Sequence, residues 1–220
     1  MSLVLYSHPL ANFCQKVLIA LYENATPFEL HHVDLGDPKA RAEFEQLTPL
    51  AKMPVLRDRE RDRVVTETSI IIEYLALHYP GPQTLLPSAA ADALPVRSWD
   101  RFYDLYVSEP MSKIVTDHIR PDGERDPFGV TEAKAALGKA YGVIERQLST
   151  RAWAVGDAFT MADCAAGPAL FYADKVMSLA GHPHAAAYLE RLRARPSFAR
   201  ALQEAEPYFK QFPVPSDLNR

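Results

Sequence analysis

The apolar positions along this chain follow two different patterns. In the first 80 residues, short aliphatic and β-branched runs alternate with segments whose apolar residues recur at helical spacing. Such alternation predicts strands separated by helices. The expected strands lie at residues 3–6 and 28–33, and two more at 55–56 and 64–65 form a hairpin. Three helices are expected: one with Asn12 as its N-cap, one that starts at Asp37-Pro38, and one that starts at Thr68. This order predicts a right-handed crossover unit extended by an antiparallel hairpin.

A proline-rich stretch separates this part from a helical one. Residues 80–95 contain four prolines and a glycine, which is typical of a linker. Beyond them the apolar residues recur at helical spacing, and Thr160 and Asp163 have the spacing of a helix capping box. The sequence therefore predicts an α/β domain over residues 1–80, a linker over 81–92 and an all-α helical bundle over 93–220.

Composition narrows the class of protein further. Apolar residues make up 48% of the chain, which is ample for a packed core, and the net charge is only −4. No lysine and arginine block indicates a nucleic-acid partner, and no run approaches the ~18–20 apolar residues of a membrane span. The two cysteines, Cys14 and Cys164, lie far apart without a Cys-x-x-Cys pair. We therefore expect a reducing, cytoplasmic location and no metal site.

The most informative motif is Met53-Pro54, just before the predicted strand at residues 55–56. Proline at a strand entrance belongs at an edge, because it cannot donate to the sheet. If its peptide bond is cis, the preceding backbone turns its N–H and C=O outward, where a small peptide can pair with them. Farther on, Glu67-Thr68-Ser69 places a carboxylate and two hydroxyls at a helix start. Together these features predict a peptide-like ligand with free α-amino and α-carboxylate groups.

Four segments in order resemble one known family. They are Tyr6-Ser7-His8-Pro9, Lys52-Met53-Pro54-Val55-Leu56, Glu67-Thr68-Ser69-Ile70-Ile71 and Phe159-Thr160-Met161-Ala162-Asp163. With these domain sizes, the chain resembles the cytosolic glutathione transferase superfamily, and its bacterial theta-, nu- and beta-like members in particular. The resemblance implies a thioredoxin-like N-terminal domain, a helical C-terminal domain, a homodimer and glutathione as co-substrate.

The resemblance also implies roles for individual residues in binding glutathione. Met53, made accessible by a cis bond to Pro54, would pair its backbone with the cysteinyl part. Glu67 would contact the γ-glutamyl ammonium, and Thr68 with the helix N–H groups would receive the γ-glutamyl carboxylate. Taken alone, Glu67-Thr68 also fits an ordinary helix cap.

Three more charged residues take part in this implied site. Lys52, and more weakly Lys39, would face the glycine carboxylate of glutathione. Asp104 is a further candidate, which would reach the ligand of the partner subunit.

The chain departs from the family where glutathione's sulfur is held. Many bacterial relatives have Ser-Pro-Phe-Cys where this chain has Ala11-Asn12-Phe13-Cys14. Ala11 can neither donate a hydrogen bond nor act as a nucleophile. We favour Asn12 with the helix N-terminus as the group that stabilises the thiolate, and Ser7 as the second choice. Cys14 fits a buried core position better than a redox role.

Two functions remain open at this stage. The first is a transferase whose glutathione thiolate attacks a hydrophobic electrophile, or an organic disulfide or peroxide. The second function is that of a non-catalytic binding or protein-interaction module of the same fold, and the missing hydroxyl at Ala11 leaves it open. A glutaredoxin-like reaction is disfavoured, because it needs a protein cysteine in this loop.

The acceptor substrate is expected between the two domains, where apolar clefts commonly hold small molecules. Leu10 in the loop and the helical residues Tyr103, Tyr106 and Met111 are the candidates for its lining. Each helical residue taken singly also fits ordinary core packing.

Overall fold

A four-stranded mixed sheet organises the first part of the chain. The computed structural model describes residues 2–213. The elements of this part are β1 (Leu3–Ser7), α1 (Asn12–Glu23), β2 (Glu29–His32), α2 (Pro38–Leu47), β3 (Val55–Asp58), β4 (Arg63–Val65) and α3 (Thr68–His78). The strand order is β2-β1-β3-β4, with β1 and β2 parallel and the other two pairs antiparallel. The predicted crossover unit and hairpin are confirmed.

The second part is helical. Its elements are α4 (Ala90–Phe102), a π-helical segment (Tyr103–Ser108), α5 (Glu109–His118), α6 (Pro127–Leu148), α7 (Met161–Val176), α8 (Pro183–Arg193), α9 (Pro196–Ala205) and a 3₁₀ segment (Glu206–Gln211). The predicted fold class, an α/β domain followed by a helical one, is confirmed. Helix α4 begins inside the stretch predicted as linker, and residues 214–220 of the predicted helical domain lie outside the described residues.

Helix α1 lies at the centre of the molecule. It packs on α3 on one side and on α7 and α9 on the other, so that all residues from 14 to 21 are buried. Two of them, Gln15 and Lys16, are polar, and buried polar groups must find partners. Between residues 2 and 213, no helix is long and apolar enough to cross a bilayer.

The helix starts agree only partly with the sequence. Asp37 caps α2 by accepting the N–H of Lys39 at 2.8 Å, and Thr160 and Asp163 form the predicted capping box of α7. The prediction that Asn12 caps α1 is wrong. Ala11 occupies the cap position, and Asn12 is the first helical residue.

The π-helical segment changes which residues share a face. A regular α-helix would place Tyr103 and Tyr106 together, as their spacing predicts. In the structure Tyr103 is fully buried, whereas Tyr106 is 57% exposed. The cause is the wider turn of a π-helix, whose i→i+5 hydrogen bonds rotate successive side chains by less than in an α-helix.

Candidate functional site

A cavity of about 210 Å³ opens beside the Met53–Pro54 bond, which is cis. The α/β part contributes Lys52, Met53, Glu67 and Thr68 to its wall. The helical part contributes Arg101, Asp104, Leu105 and Glu109. The cavity therefore joins both parts of the chain and carries charges of both signs.

Glu67 enters this cavity from a strained backbone position. Its φ of 66° and ψ of 118° lie in a region that non-glycine residues rarely adopt, and such strain clusters at functional sites. Its side chain makes no capping hydrogen bond to α3, which argues against the alternative of an ordinary helix cap. Thr68 follows as the first residue of α3, and the positive end of that helix faces the same space.

A smaller pocket of about 130 Å³ lies at the N-terminus of α1. Its lining residues are all uncharged: Leu10, Ala11, Asn12, Met111, Ser112, Val115, Thr116, Tyr172 and Phe212. Asn12 faces this pocket while its neighbour Phe13 lines the larger cavity. The start of α1 thus separates a polar cavity from a mainly apolar pocket.

A buried ionic cluster lies against the larger cavity. Lys16 of α1 is 1% exposed, and its Nζ is 2.7 Å from Oδ1 of Asp100 and 2.8 Å from Oδ2 of Asp104. The same Nζ is 3.1 Å from Oγ of Ser69. Among residues 2–213, no group of three or more histidine, cysteine or acidic side chains is arranged to hold a metal ion.

Comparison with known proteins decides the family. The N-terminal domain of glutathione S-transferase matches residues 5–83, and its C-terminal domain matches residues 127–191. Glutathione S-transferase 3 from Zea mays is 32% identical over 209 residues, which cover 91% of this chain and 93% of that protein. The chain belongs to the glutathione S-transferase family.

Other known proteins are similar to this one over nearly the whole chain. A glutathione S-transferase from Methylobacterium radiotolerans, solved in complex with glutathione sulfonate, has 30% identity and a TM-score of 0.80, and the match covers 90% of this chain and 93% of that one. The stringent starvation protein A homolog of Coxiella burnetii is 27% identical over 219 residues, which cover 95% of both proteins. Some relatives at this level of similarity therefore carry names other than glutathione S-transferase.

Most of the residues implied by the family resemblance for glutathione come together. Lys52, Met53, Pro54, Glu67 and Thr68 all line the larger cavity. Lys39 does not line it.

Two further charged residues named by the resemblance are Lys39 and Asp104. The Lys39 side chain is 86% exposed at the start of α2, 4.0 Å from Glu43. Asp104 lines the cavity of its own chain.

Ser7 lies away from both the cavity and the pocket. It is 1% exposed, lies against the sulfur of Cys14, and lines a separate apolar cavity of about 320 Å³. Burial raises the pKa of the Cys14 thiol to about 11, although hydrogen bonds from the His8 backbone and from Ser7 oppose the change. Cys14 therefore stays protonated at neutral pH, as the core interpretation expects.

The predicted acceptor residues divide into two pairs. Leu10 and Met111 lie together in the pocket beside Asn12. Tyr103 is buried in the core of the helical part, and Tyr106 lies outside the cavities described above.

Sequence reasoning missed two sets of residues. Tyr172 and Phe212, which close the pocket with ring centroids 4.9 Å apart, come from distant elements and carry no local signal. The second set is Lys16, Asp100 and Asp104, and it did carry a signal in the sequence. Lys16 is a lone charge in an otherwise apolar helical stretch, and Asp100 and Asp104 have the spacing of one helix face.

Proposed function

We propose that this chain is a glutathione transferase that binds glutathione in the cavity between Lys52 and Glu67. One observation carries the proposal: residues from two separate segments for which the family resemblance implies glutathione contacts, Lys52-Met53-Pro54 and Glu67-Thr68, line a single cavity. In this arrangement Glu67 receives the γ-glutamyl ammonium, and Thr68 with the α3 N-terminus receives the γ-glutamyl carboxylate. The Met53 backbone pairs with the cysteinyl part, and Lys52 faces the glycine carboxylate.

The start of α1 is the proposed site of thiol activation. A free thiol has a pKa of about 8.5 and is mostly protonated at neutral pH. Donors aimed at the sulfur stabilise its anion and lower this pKa. Asn12 and the first N–H groups of α1 lie between the glutathione cavity and the pocket and are the proposed donors.

The pocket at Leu10 and Met111 is the proposed acceptor site. Its volume is close to that of cavities of about 150 Å³ that hold one benzene ring. Its uncharged lining favours a small neutral electrophile with a single ring. In the proposed step the thiolate sulfur forms a bond to the electrophilic carbon, and the leaving group departs with the electron pair of the bond that breaks.

A homodimer is part of the proposal. Ile70 and Leu77 on α3 and Leu94 on α4 are more than half exposed. They surround an ion pair between Glu73 and Arg97, whose two hydrogen bonds of 2.8 Å join the helices. Apolar side chains around such a pair form a patch that a second copy would cover. The two free, buried cysteines fit the proposed cytoplasmic location.

Calorimetric titration with glutathione tests the proposal. We expect the unmodified chain to bind, and Glu67→Gln to bind about tenfold more weakly, because a charge-assisted hydrogen bond to the ammonium is lost. Glu43→Gln removes an exposed carboxylate outside the cavity and is the matched control. Absence of binding at millimolar glutathione would refute the transferase and favour the non-catalytic module, whose supporting feature is Ala11 at the start of α1.

A further inference from the structure

A buried amide connects two walls of the proposed acceptor pocket. Gln15 of α1 is fully buried, and its Nε2 donates to the carbonyl oxygen of Pro9 at 2.8 Å and to the hydroxyl oxygen of Tyr172 at 2.9 Å. Pro9 belongs to the loop that contributes Leu10 to the pocket, whereas Tyr172 lines the pocket from α7. The amide therefore holds the hydroxyl end of Tyr172 beside this loop.

The orientation of this amide follows from the carbonyl group of Pro9. A carbonyl oxygen can only accept, so the nitrogen of the Gln15 amide, rather than its oxygen, must face Pro9. A flipped amide would place two oxygens against each other there. The Oε1 atom of Gln15 is consequently buried without a hydrogen-bond partner among the described residues. Because the nitrogen also faces Tyr172, the tyrosine hydroxyl accepts from Gln15 and cannot donate to it.

Tyr172 therefore keeps a hydroxyl hydrogen that the protein does not use. Between residues 2 and 213, the bond from Gln15 is the hydroxyl's single hydrogen bond. Burial raises the pKa of Tyr172, the bond from Gln15 opposes the rise, and the nearby Cys14 adds to it. The hydroxyl thus stays protonated at neutral pH. A buried donor without an acceptor is unfavourable, and an oxygen atom of a bound molecule would satisfy it.

We infer that Gln15 is a positioning residue that directs the hydroxyl hydrogen of Tyr172 toward the acceptor substrate, and that the pocket selects an electrophile whose negative charge builds on oxygen. The inference rests on the proposed transferase function, with the pocket at Leu10 and Met111 as its acceptor site. A ring ketone conjugated to a carbon–carbon double bond is a simple electrophile of this class, and its single ring suits the volume of the pocket.

In the inferred step, the thiolate sulfur forms a bond to the β-carbon of the conjugated ketone. The electron pair of the double bond is displaced, and the negative charge collects on the ketone oxygen. Tyr172 donates a hydrogen bond to this oxygen, and the bond strengthens as the charge develops. Water then gives a proton to the α-carbon, and the hydroxide that is left neutralises the proton released when glutathione ionised. The Tyr172 hydroxyl is unchanged at the end.

The test compares turnover of two single-ring electrophiles, cyclohexenone and benzyl bromide. With benzyl bromide, bromide leaves with the electron pair of its bond to carbon, and no charge builds on oxygen. We expect Tyr172→Phe to lower kcat for cyclohexenone by about tenfold or more, because a donor to the developing charge is lost. The kcat for benzyl bromide should change little, so the ratio of the two kcat values falls.

Gln15→Glu tests the positioning itself. The Pro9 carbonyl can still only accept, so a protonated carboxyl group in place of the amide would donate to Pro9 and accept from Tyr172. An ionised carboxylate would also accept from Tyr172. In both states the hydroxyl hydrogen is taken up by the protein. We therefore expect the kcat ratio to fall as far as in Tyr172→Phe, and no further in the double variant.

Two additional variants separate positioning from general destabilisation. Tyr141→Phe removes another buried tyrosine hydroxyl, which lies outside the pocket and donates to the carbonyl oxygen of Met177 at 2.9 Å. It should lower stability without changing the kcat ratio. Should Gln15→Glu not fold, Gln15→Met carries the test, because it removes the donor that fixes Tyr172 without adding a charge, and the ratio should again fall.

The outcomes distinguish this inference from the proposed function. If the unmodified chain binds no glutathione, both fail. If it turns over benzyl bromide but not cyclohexenone, or if Tyr172→Phe leaves the kcat ratio unchanged, the role of Tyr172 is overturned while the transferase stands. If the Gln15 variants keep the full ratio, or if the two single changes add in the double variant, Gln15 does not act through Tyr172, and the inference fails.

Discussion

At the scale of single residues, the start of α1 lacks a side-chain cap. Ala11 holds the cap position but offers no side-chain acceptor, so no side chain caps the first N–H groups of the helix. Asn12 then lies one residue farther on, half-buried and facing the uncharged pocket. These groups can therefore donate to a ligand atom instead of to the protein itself.

Asn12→Ala tests whether this side chain stabilises the glutathione thiolate. Loss of one donor should raise the pKa of the bound thiol and lower turnover of an aryl halide at neutral pH by about tenfold or more. The check is the pH dependence of turnover together with the ultraviolet absorbance of the thiolate. Asn12→Asp keeps the shape but adds a negative charge, so it should raise the thiol pKa further. An unchanged pH profile in both variants would refute the assignment.

At the scale of elements, the β3–β4 hairpin is tied to α3 by one buried carboxylate. Asp58 is fully buried at the end of β3 and accepts the hydroxyls of Tyr74 at 2.7 Å and Tyr79 at 2.6 Å. Burial acts to raise its pKa, but these bonds and the backbone N–H groups of Glu60 and Arg61 outweigh burial and lower the pKa to about 2. The hairpin and the helix that carries Thr68 therefore depend on one ionised group.

Asp58→Asn should lower the free energy of unfolding by about 2 kcal/mol at neutral pH, because charge-assisted hydrogen bonds are lost. Since the folded-state pKa lies below the unfolded value of about 3.9, the contribution of Asp58 is complete above that value and is lost as pH falls toward 2. Urea unfolding of both proteins between about pH 7 and pH 3 should show the difference shrinking with acidity.

The exposed Asp62 in the same turn provides the control. Asp62→Asn should change stability by less than about 0.5 kcal/mol, because the side chain is 86% exposed and asparagine tolerates its φ of 52°. An Asp58→Asn difference that stays constant across this pH range would contradict the account.

At the scale of the whole molecule, the two parts of the chain share one core. Helix α1 follows the first strand in sequence, yet it packs against α7 and α9 of the helical part. Glu23 at its end pairs with Arg195, and Lys16 in its middle pairs with Asp100 and Asp104. The cavity between the two parts is consequently held by packing and by buried charges, and the exposed apolar patch on α3 and α4 lies outside this core.

Leu77→Glu tests the proposed homodimer at that patch. Leu77 is 74% exposed, so the change should leave the fold intact while placing a desolvated charge in the interface. Sedimentation at micromolar concentration should then show a dimer for the unmodified chain and a monomer for the variant. Phe128→Glu, at an exposed position on α6, should remain a dimer. A monomer without any substitution would refute the homodimer.

Much of the fold and part of the site follow from local features of the sequence. Alternating apolar residues specify strands, and apolar residues at helical spacing specify helices. The reason is that an element with one buried face places apolar residues at its own structural period. Met53-Pro54 and Glu67-Thr68 could be recognised as candidate binding groups because their backbone positions are set by immediate neighbours. These two pairs of residues lie close together in the structure because they flank the β3–β4 hairpin on its two sides in sequence.

What the sequence determined by itself is therefore the order of elements, the family and the candidate site residues whose placement depends on adjacent backbone. Only the tertiary structure decided that Lys52 reaches the cavity and Lys39 does not, that Tyr103 is core, and that Lys16 pairs with an aspartate 88 positions away. The physical reason is that burial and ion pairing depend on distances between elements. Those distances arise when helices pack, and no local pattern of residues encodes them.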